Sequence, residues 1–250
     1  MIRVAIETST WVGSVAVARD GELLAEVELG VRSRHASTAV PGLQEALETA
    51  GVARAEIGEV VVGAGPGSFT GVRVAGATAK GLAMALDVPL VAYSSLLAAA
   101  VSAVVAGDEP DPADGFDAGV PVCALFDARR KEAYAGCWRV GASELAEVVA
   151  PMVGSVDEIA AALVRAGAGA EAGAGVLFVG EGLEKHGAGM AAAASAAGLD
   201  ARLGAPDVWP RASSLLWLAH GHPSVGRVAD AAAWEPLYVR GSSAERGIRG

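Results

Sequence analysis

Three strand-like segments open the chain, and they follow one another with no helix between them. Residues 2–7 and 12–19 are rich in Val, Ile and Ala, and residues 22–29 alternate polar and apolar side chains. Asp20-Gly21 between the second and third segments is a two-residue hairpin signal. Consecutive strands joined by such short turns pair antiparallel. We therefore predict that a three-stranded antiparallel meander begins the fold.

Helices and strands alternate after this meander. Residues 37–50 place Val40, Leu43 and Leu47 on one helical face, with Ser37 as a candidate cap and Gly51 as the stop. A strand at 59–64, a glycine-rich loop, a helix at about 71–86, a strand at 90–93 and a helix to about residue 106 follow. The resulting order βββαβαβα predicts an α/β lobe over residues 1–106.

A second, smaller α/β lobe is predicted over residues 120–206, after an acidic Pro/Gly-rich linker at 107–119. Its predicted elements are strands at 120–127, 132–140, 176–179 and 199–203, with helices at 156–166 and 188–197. A helix is predicted at 212–220, within a C-terminal helical segment, residues 207–240, that we expect to return to the first lobe. Residues 241–250 are predicted to be a disordered tail.

Charge argues against nucleic-acid binding by this chain alone. The chain carries 19 bases against 29 acids, a net charge of −10, whereas neutralising phosphates requires clusters of Lys and Arg. The one tight basic cluster is Arg129-Arg130-Lys131, which we interpret as a solvated hairpin turn. We therefore expect no strong nucleic-acid binding by this chain alone.

One uncharged stretch, residues 88–107, is long enough to cross a bilayer. Its Pro, Ser and Ala residues make it only weakly apolar, so we predict a strand at 90–93 followed by a buried helix instead. The N-terminus enters a strand directly and lacks the apolar core of a signal peptide. We therefore expect a cytoplasmic protein that does not contact a membrane.

Candidates for metal binding or catalysis are few. Two cysteines, Cys123 and Cys137, cannot supply the four ligands of a structural zinc site. His220 and His222 could bind a metal only with further ligands from distant parts of the sequence. No metal site is predicted. Glu7 ends the first strand beside three hydroxyl residues, where it could face a phosphate or simply be a solvated, capping carboxylate.

The glycine-rich loop is the most informative segment. It consists of Gly65, Pro66, Gly67, Ser68, Phe69, Thr70 and Gly71, with Arg73 in the helix that follows. Its glycines permit close approach of another backbone or of a ligand, and a helix N-terminus favours anions. The loop is either a tight strand-to-helix turn or a nucleotide contact, although it matches neither a Walker A loop nor a dinucleotide fingerprint. We expect Arg73 to have an acidic or anionic partner, because a cation in the first turn opposes the helix dipole.

The helix after this loop is crowded with small residues, including Ala75, Gly76, Ala79 and Ala83. Glycine within a helix costs about 1 kcal/mol relative to Ala, so we expect another helix to press closely on it. That contact is either core packing within this chain or an interface with a second subunit.

Four segments resemble the TsaB (YeaZ) family of tRNA threonylcarbamoyladenosine biosynthesis proteins. They are IETST near the N-terminus, GPGSFTGVRVAGATAKGLA, DARRKEAY at 127–134 and EPLYVR at 235–240. The resemblance implies an actin-like ATPase (ASKHA) architecture with two lobes of RNase H-like α/β topology. It also implies a noncatalytic subunit that activates a catalytic TsaD-like paralogue, together with a TsaE-like ATPase, to install threonylcarbamoyl on adenosine 37 of tRNAs reading ANN codons.

The resemblance further implies that the two helices of the first lobe pack against the equivalent helices of the TsaD-like partner, or of a second copy. The implied interface residues are Val40, Leu43, Leu47, Ala75, Gly76, Ala79, Lys80 and Ala83. The chain itself is expected to bind no cofactor and to contact tRNA only indirectly, with ATP and a metal ion used by the partners. The paralogue's metal-binding H-x-x-x-H pair is reduced here to His35 and Ala39, and the family's usual first-strand Asp is Glu7.

Two other functions remain open at this point. A stand-alone actin-like ATPase or kinase would turn over nucleotide, but no acid pair is recognisable in both lobes. A metallopeptidase would need the missing His pair.

Overall fold

The computed structural model describes residues 1–31, 35–105, 119–141, 145–169 and 175–239. Ten strands and six α-helices occur within these ranges. The strands are β1 (Ile2–Glu7), β2 (Val12–Arg19), β3 (Glu22–Val31), β4 (Ile57–Gly63), β5 (Leu90–Tyr93), β6 (Pro121–Asp127), β7 (Ala133–Val140), β8 (Leu145–Gly154), β9 (Val176–Val179) and β10 (Ala201–Leu203). The helices are α1 (His35–Thr49), α2 (Phe69–Leu86), α3 (Ser95–Val105), α4 (Val156–Arg165), α5 (Gly182–Ala196) and α6 (Ala212–Gly221).

The first sheet has the strand order β3-β2-β1-β4-β5. The predicted meander is confirmed, because β1 pairs antiparallel with β2 and β2 with β3. The turn residues Asp20 and Gly21 both have positive φ, as this type of two-residue hairpin requires. Helical crossovers then place β4 parallel to β1 and β5 parallel to β4.

The second sheet repeats this topology with the order β10-β9-β6-β7-β8. Strands β6, β7 and β8 form an antiparallel meander, and β9 and β10 add in parallel. Each half of the chain therefore follows the order βββαβαβα. The fold is an α/β fold made of two topologically equivalent units.

Strand β8 is absent from the sequence prediction, which placed nothing between residues 141 and 155. Its sequence LAEVVAPMVG contains Pro151 and two alanines, and its side chains are mostly half-buried. Pro is tolerated there because β8 is an edge strand, where one row of N–H groups needs no sheet partner. A half-exposed edge strand gives a weak hydrophobic signal.

Several predicted helix limits are wrong. Helix α1 begins at His35, so Ser37 lies inside its first turn rather than at its cap. Helix α2 begins at Phe69, two residues before the predicted start at 71, because Ser68 caps it. Helix α5 begins at Gly182 rather than at 188. In the described part of the C-terminal segment, residues 207–239, the helix covers only Ala212–Gly221.

The described elements stack in five layers around three apolar clusters. Helices α1 and α2 cover the outer face of the first sheet, and α4 and α5 cover the outer face of the second. Helices α3 and α6 lie between the two sheets, with α3 packed on β6 and β7 and α6 packed on β1, β2 and β4. The uncharged stretch thus forms β5 and the buried helix α3, as predicted.

The linker at 107–119 and the tail at 241–250 fall on residues outside the described ranges, apart from Gly119. Within the described ranges, none of the helices has the length and apolar character needed to cross a membrane.

Candidate functional site

The glycine-rich loop connects the end of β4 to α2 and lies directly beside the end of β1. Gly65 is anchored to the start of α3, because Ser95 N donates to Gly65 O at 2.8 Å and Gly65 N donates to Ser95 Oγ at 3.1 Å. Pro66 follows through a cis peptide bond and is buried. Ser68 is the helix cap, since its Oγ accepts from Gly71 N at 3.3 Å. The loop is therefore fixed from both sides.

Two glycines of this loop are pressed against the segment that follows β1. A Cβ added to Gly71 would lie 1.9 Å from Thr8 O, and one added to Gly67 would lie 2.4 Å from Ser9 O. Two hydrogen bonds hold the contact, from Ser68 N to Ser9 O at 2.6 Å and from Thr8 Oγ1 to Gly71 O at 2.7 Å. The close approach that these glycines permit is thus made by the chain's own backbone.

Glu7 points into the protein rather than toward solvent. Its side chain is fully buried, with Oε2 accepting from Ser95 Oγ at 2.7 Å and Oε1 accepting from Ser9 N at 2.6 Å. Ser95 also binds Gly65, so Glu7 links β1, α3 and the glycine-rich loop. Burial raises the pKa of Glu7 above its ordinary value, and the hydrogen bonds from Ser95 and Ser9 oppose that rise only in part.

This raised pKa makes stability depend on pH in a defined direction. As pH increases from the ordinary Glu pKa of about 4.3 through the folded pKa, the unfolded carboxyl releases its proton while the folded one keeps it. The free energy of unfolding therefore falls across this window and the loss remains above it. Glu7→Gln cannot titrate, so we expect its stability relative to the parent chain to increase as pH rises through the window, measured by denaturant unfolding at several pH values.

Glu45→Gln is a matched control for this measurement. Glu45 is exposed on α1, and its substitution should leave the difference in unfolding free energy nearly constant with pH. A Glu7→Gln protein that loses stability relative to the parent as pH rises would contradict the assignment, because it would mean that the ionised carboxylate is the stabilising form.

Several backbone N–H groups at this loop are already used within the chain. An anion at a helix N-terminus is held by backbone N–H groups, but those of Ser68, Gly71 and Val72 already donate to Ser9 O, Ser68 Oγ and Ser68 O. Glu7 is buried on the other side, with its oxygens bound to Ser9 and Ser95. Of the two interpretations of the loop, the geometry favours the tight strand-to-helix turn.

The outer side of the loop carries an exposed aromatic and cationic group. Arg73 lies over the Phe69 ring at 3.8 Å, and its Nε donates to Tyr238 Oη at 3.2 Å. Phe69 is 58% exposed, and its ring lies 6.1 Å from that of Tyr238. Thr70 beside it is also exposed. Among the described residues the partners of Arg73 are an aromatic face and a phenol, so an acidic or anionic partner from an associated chain stays a prediction.

Most of the predicted interface residues lie inside this chain. Five of them belong to the apolar cluster between α1, α2 and the first sheet, namely Leu43, Leu47, Ala75, Ala79 and Ala83. These side chains are at most 8% exposed, because the 3.6-residue repeat that aligns them turns that face toward the sheet. As contacts with a partner they are therefore corrected to core positions.

Two others are covered by the segment after α6. A Cβ on Gly76 would lie 3.2 Å from the Trp234 ring, and Lys80 Nζ donates to Ala232 O at 2.7 Å and to Trp234 O at 2.9 Å. Trp234 and Tyr238 were missed as site residues because residues 222–239 carry no periodic pattern. The EPLYVR motif was the available signal for this region.

Val40 is the one predicted interface residue whose side chain stands out from the surface, with 61% exposure. Met84 on α2, which was not predicted, is 62% exposed. Both belong to the outer layer formed by α1 and α2, whose helices contact each other. These two side chains are the largest exposed apolar groups of that layer beyond Phe69.

The remaining predicted chemistry is limited. Among the residues that the structure describes, no group of three His, Cys, Asp or Glu side chains is placed to hold a metal ion. Cys123 and Cys137 are buried and directly opposite each other on β6 and β7. Helix α1 begins at His35. The side chain of His35 lies outside what the structure describes.

Two equivalent βββαβαβα units with helices packed between their sheets define an actin-like ATPase (ASKHA) architecture. A family model described as "TsaD: tRNA N6-adenosine threonylcarbamoyltransferase" matches residues 26–220. The chain is similar to YeaZ from Pseudomonas aeruginosa, with 27% identity, a TM-score of 0.74, and coverage of 95% of this chain and 99% of that one. The chain thus belongs to the TsaD-type family and, within it, to the TsaB (YeaZ) group.

The chain also matches curated TsaB proteins over part of their length. The chain is 32% identical to the tRNA threonylcarbamoyladenosine biosynthesis protein TsaB of Bacillus subtilis over 149 residues, which is 60% of either protein. It is 39% identical to the protein of the same name from Escherichia coli over 99 residues, 40% of this chain and 42% of that protein. The matches thus span about half the length of these relatives.

Proposed function

We propose that this chain is a noncatalytic scaffold subunit of the cytoplasmic machinery that installs N6-threonylcarbamoyl on adenosine 37 of tRNAs reading ANN codons. In this role it binds and activates a TsaD-like catalytic partner, with a TsaE-like ATPase as a further component. The names of its relatives support the pathway. The partner subunits would use the ATP and the metal ion.

The observation that carries the noncatalytic role is the closed loop. Thr8 and Ser9 fill the space in front of Gly67 and Gly71, so these glycines leave no room for a ligand there. Glu7 is buried and bound to Ser9 and Ser95. A stand-alone kinase or ATPase would need these groups to face a ligand.

Assembly is supported by the outer layer. Contact residues in protein interfaces are apolar or aromatic and lie in exposed patches before association. Helices α1 and α2 expose Val40 and Met84, and the start of α2 exposes Phe69. A TsaD-like partner, or a second copy of this chain, would cover them.

The proposal is tested by mixing the purified chain with the TsaD-like protein of the same cell. We expect a complex in size-exclusion chromatography at micromolar concentrations, and tRNA threonylcarbamoylation only when both proteins are present with the remaining components. The isolated chain should not hydrolyse ATP above the buffer background. No association, or nucleotide turnover by the chain alone, would contradict the scaffold role.

A further inference from the structure

We propose that the turn formed by Arg129, Arg130 and Lys131 contacts the phosphate backbone of the tRNA directly. This contact rests on the proposed function, in which the catalytic partner provides most of the tRNA-binding surface. It differs from the expectation of a purely indirect role, and four observations support it.

The backbone of the turn is the first observation. Arg129, Arg130 and Lys131 have φ values of 63°, 55° and 66°, so three consecutive non-glycine residues occupy the left-handed region. This region costs roughly 1–2 kcal/mol per residue for side chains other than Gly and, to a lesser extent, Asn or Asp. Gly or Asn at these positions would stabilise the hairpin more than Arg or Lys does. The stability of the fold therefore does not explain why the chain carries three long cationic residues here.

The second observation is that the turn is held rigidly in this shape. Glu132 N donates to Arg129 O and Ala128 N donates to Glu132 O, each at 3.0 Å. Asp127 Oδ1 accepts from Arg129 N at 2.9 Å. The backbone that carries the three cations is therefore fixed between β6 and β7.

The third observation is that nothing in the described chain neutralises the three side chains. All three residues are exposed, and none of them forms an ion pair with a described carboxylate. Exposed cations without a protein partner are free to meet an external anion.

Two carboxylates flank the turn, Asp127 and Glu132, and Asp127 already has its own cationic partner. Lys185 Nζ donates to both of its oxygens at 3.0 Å, and His186 Nε2 lies 3.1 Å from Oδ1. Burial alone would raise the pKa of Asp127, but the bonds from Lys185, His186 and Arg129 N–H together hold that pKa below its ordinary value. The charge of Asp127 is thus compensated, and the three bases still outnumber Glu132, so the turn keeps a net positive charge.

The fourth observation concerns the kind of anion. Successive residues of a left-handed turn point about 100° apart, as in the mirror-image α-helix, so these side chains diverge. Diverging cations suit a series of phosphates better than one enclosed anion, which needs converging donors. Because the whole chain carries a net charge of −10, a local cationic turn is where an RNA backbone can approach it.

The test uses the complex of this chain with its TsaD-like partner and measures tRNA binding over a range of salt concentrations. The variant is Arg129→Gln/Arg130→Gln/Lys131→Gln. The control is Arg54→Gln/Arg165→Gln/Arg227→Gln, which removes three exposed bases elsewhere and changes the net charge equally. Each phosphate contact contributes about 0.9 to the slope of log K against log salt. We expect the turn variant to lower the slope by roughly 2–3 and to weaken binding about 100-fold near 0.15 M salt, with little change in the control.

A second variant separates binding from structure. Arg129→Asn/Arg130→Asn/Lys131→Asn removes the charges and introduces residues that tolerate the left-handed region. We expect it to weaken tRNA binding as the Gln variant does, while the Tm of the isolated chain rises by roughly 2–4 °C. A turn with only a structural role would not give weaker binding together with higher stability.

The outcomes separate this contact from the proposed function. A complex that forms normally but binds tRNA with unchanged affinity and salt slope in the turn variant contradicts the contact alone, as does an equal loss in the control. Failure of the parent chain to form the complex contradicts the proposed function, and the tRNA contact with it.

Discussion

Gly71→Ala is expected to destabilise the folded chain by about 3 kcal/mol or more, the largest stability effect that we predict for a single methyl group here. The added Cβ would lie 1.9 Å from the backbone oxygen of Thr8. Thr8 cannot move away easily, because its Oγ1 donates to Gly71 O at 2.7 Å and the adjacent Ser9 O accepts from Ser68 N. Relieving the clash would separate β1 from the loop and break these bonds.

Gly81→Ala on the same helix is the matched control. A Cβ on Gly81 meets nothing within 4 Å, so the substitution changes only helix propensity and should stabilise the chain by up to about 1 kcal/mol. For a chain of this size, 1 kcal/mol corresponds to about 2–4 °C in Tm. We therefore expect the Tm to fall by about 6–12 °C or more in Gly71→Ala and to rise by about 2–4 °C in Gly81→Ala.

The comparison of these two variants decides what the glycine-rich loop is for. If Gly71→Ala unfolds near the parent Tm, the loop has room for a side chain, and the close contact with Thr8 does not exist in solution. Room of that kind would reopen the interpretation of the loop as a ligand site. A large loss of stability in Gly71→Ala alone supports the interpretation of the loop as an internal junction.

Most of the fold could be predicted from the sequence, because the pattern of apolar and polar residues indicates which side chains are buried. Strands β1, β2, β5 and β9 have the predicted limits, since each is a short apolar run that ends at turn residues. Strand β8 was missed because an edge strand with half-buried side chains and an internal Pro shows no clear alternation. The repeat of the whole βββαβαβα order became visible only with β8 in place.

The candidate site was less predictable, because a Gly or Ala indicates that another group packs closely against it but does not indicate which group. Gly67 and Gly71 approach the backbone of Thr8 and Ser9, which are about sixty residues away in sequence. Gly76 approaches Trp234 from the far end of the chain. Ala75, Ala79 and Ala83 face the sheet. Only three-dimensional packing distinguishes these contacts from those with a ligand or a second subunit.

Burial of the small residues moves the expected partner contact to the opposite side of the same helices. Ala75, Ala79 and Ala83 fix α2 on the sheet, and as a consequence Met84 and Ala77 point outward. On α1, Val40 is exposed although it shares a helical face with the buried Leu43 and Leu47. The helices that the family resemblance implied therefore remain candidates for assembly, but with other side chains in contact.

Val40→Asp/Met84→Asp is expected to weaken association with the TsaD-like partner at least about 100-fold. Each Asp would carry a charge into a contact that is apolar in the parent, and burying an unpaired charge costs several kcal/mol, with every 1.4 kcal/mol equal to a factor of ten. Both positions are more than 60% exposed in the free chain. Exposed substitutions change stability by less than about 0.5 kcal/mol, so the Tm of the isolated double variant should stay close to that of the parent.

Val164→Asp/Leu203→Asp provides the control, because both residues are exposed apolar side chains of the second unit, at 44% and 47%. It adds the same charge and should leave association unchanged. Affinity is measured by titration calorimetry, with tRNA threonylcarbamoylation as the second readout. If the α1/α2 variant and the control bind the partner equally well, the outer layer of these helices is not the docking surface. If both lose affinity to the same extent, net charge rather than contact is responsible, because only a local apolar contact makes the position of the two added carboxylates matter.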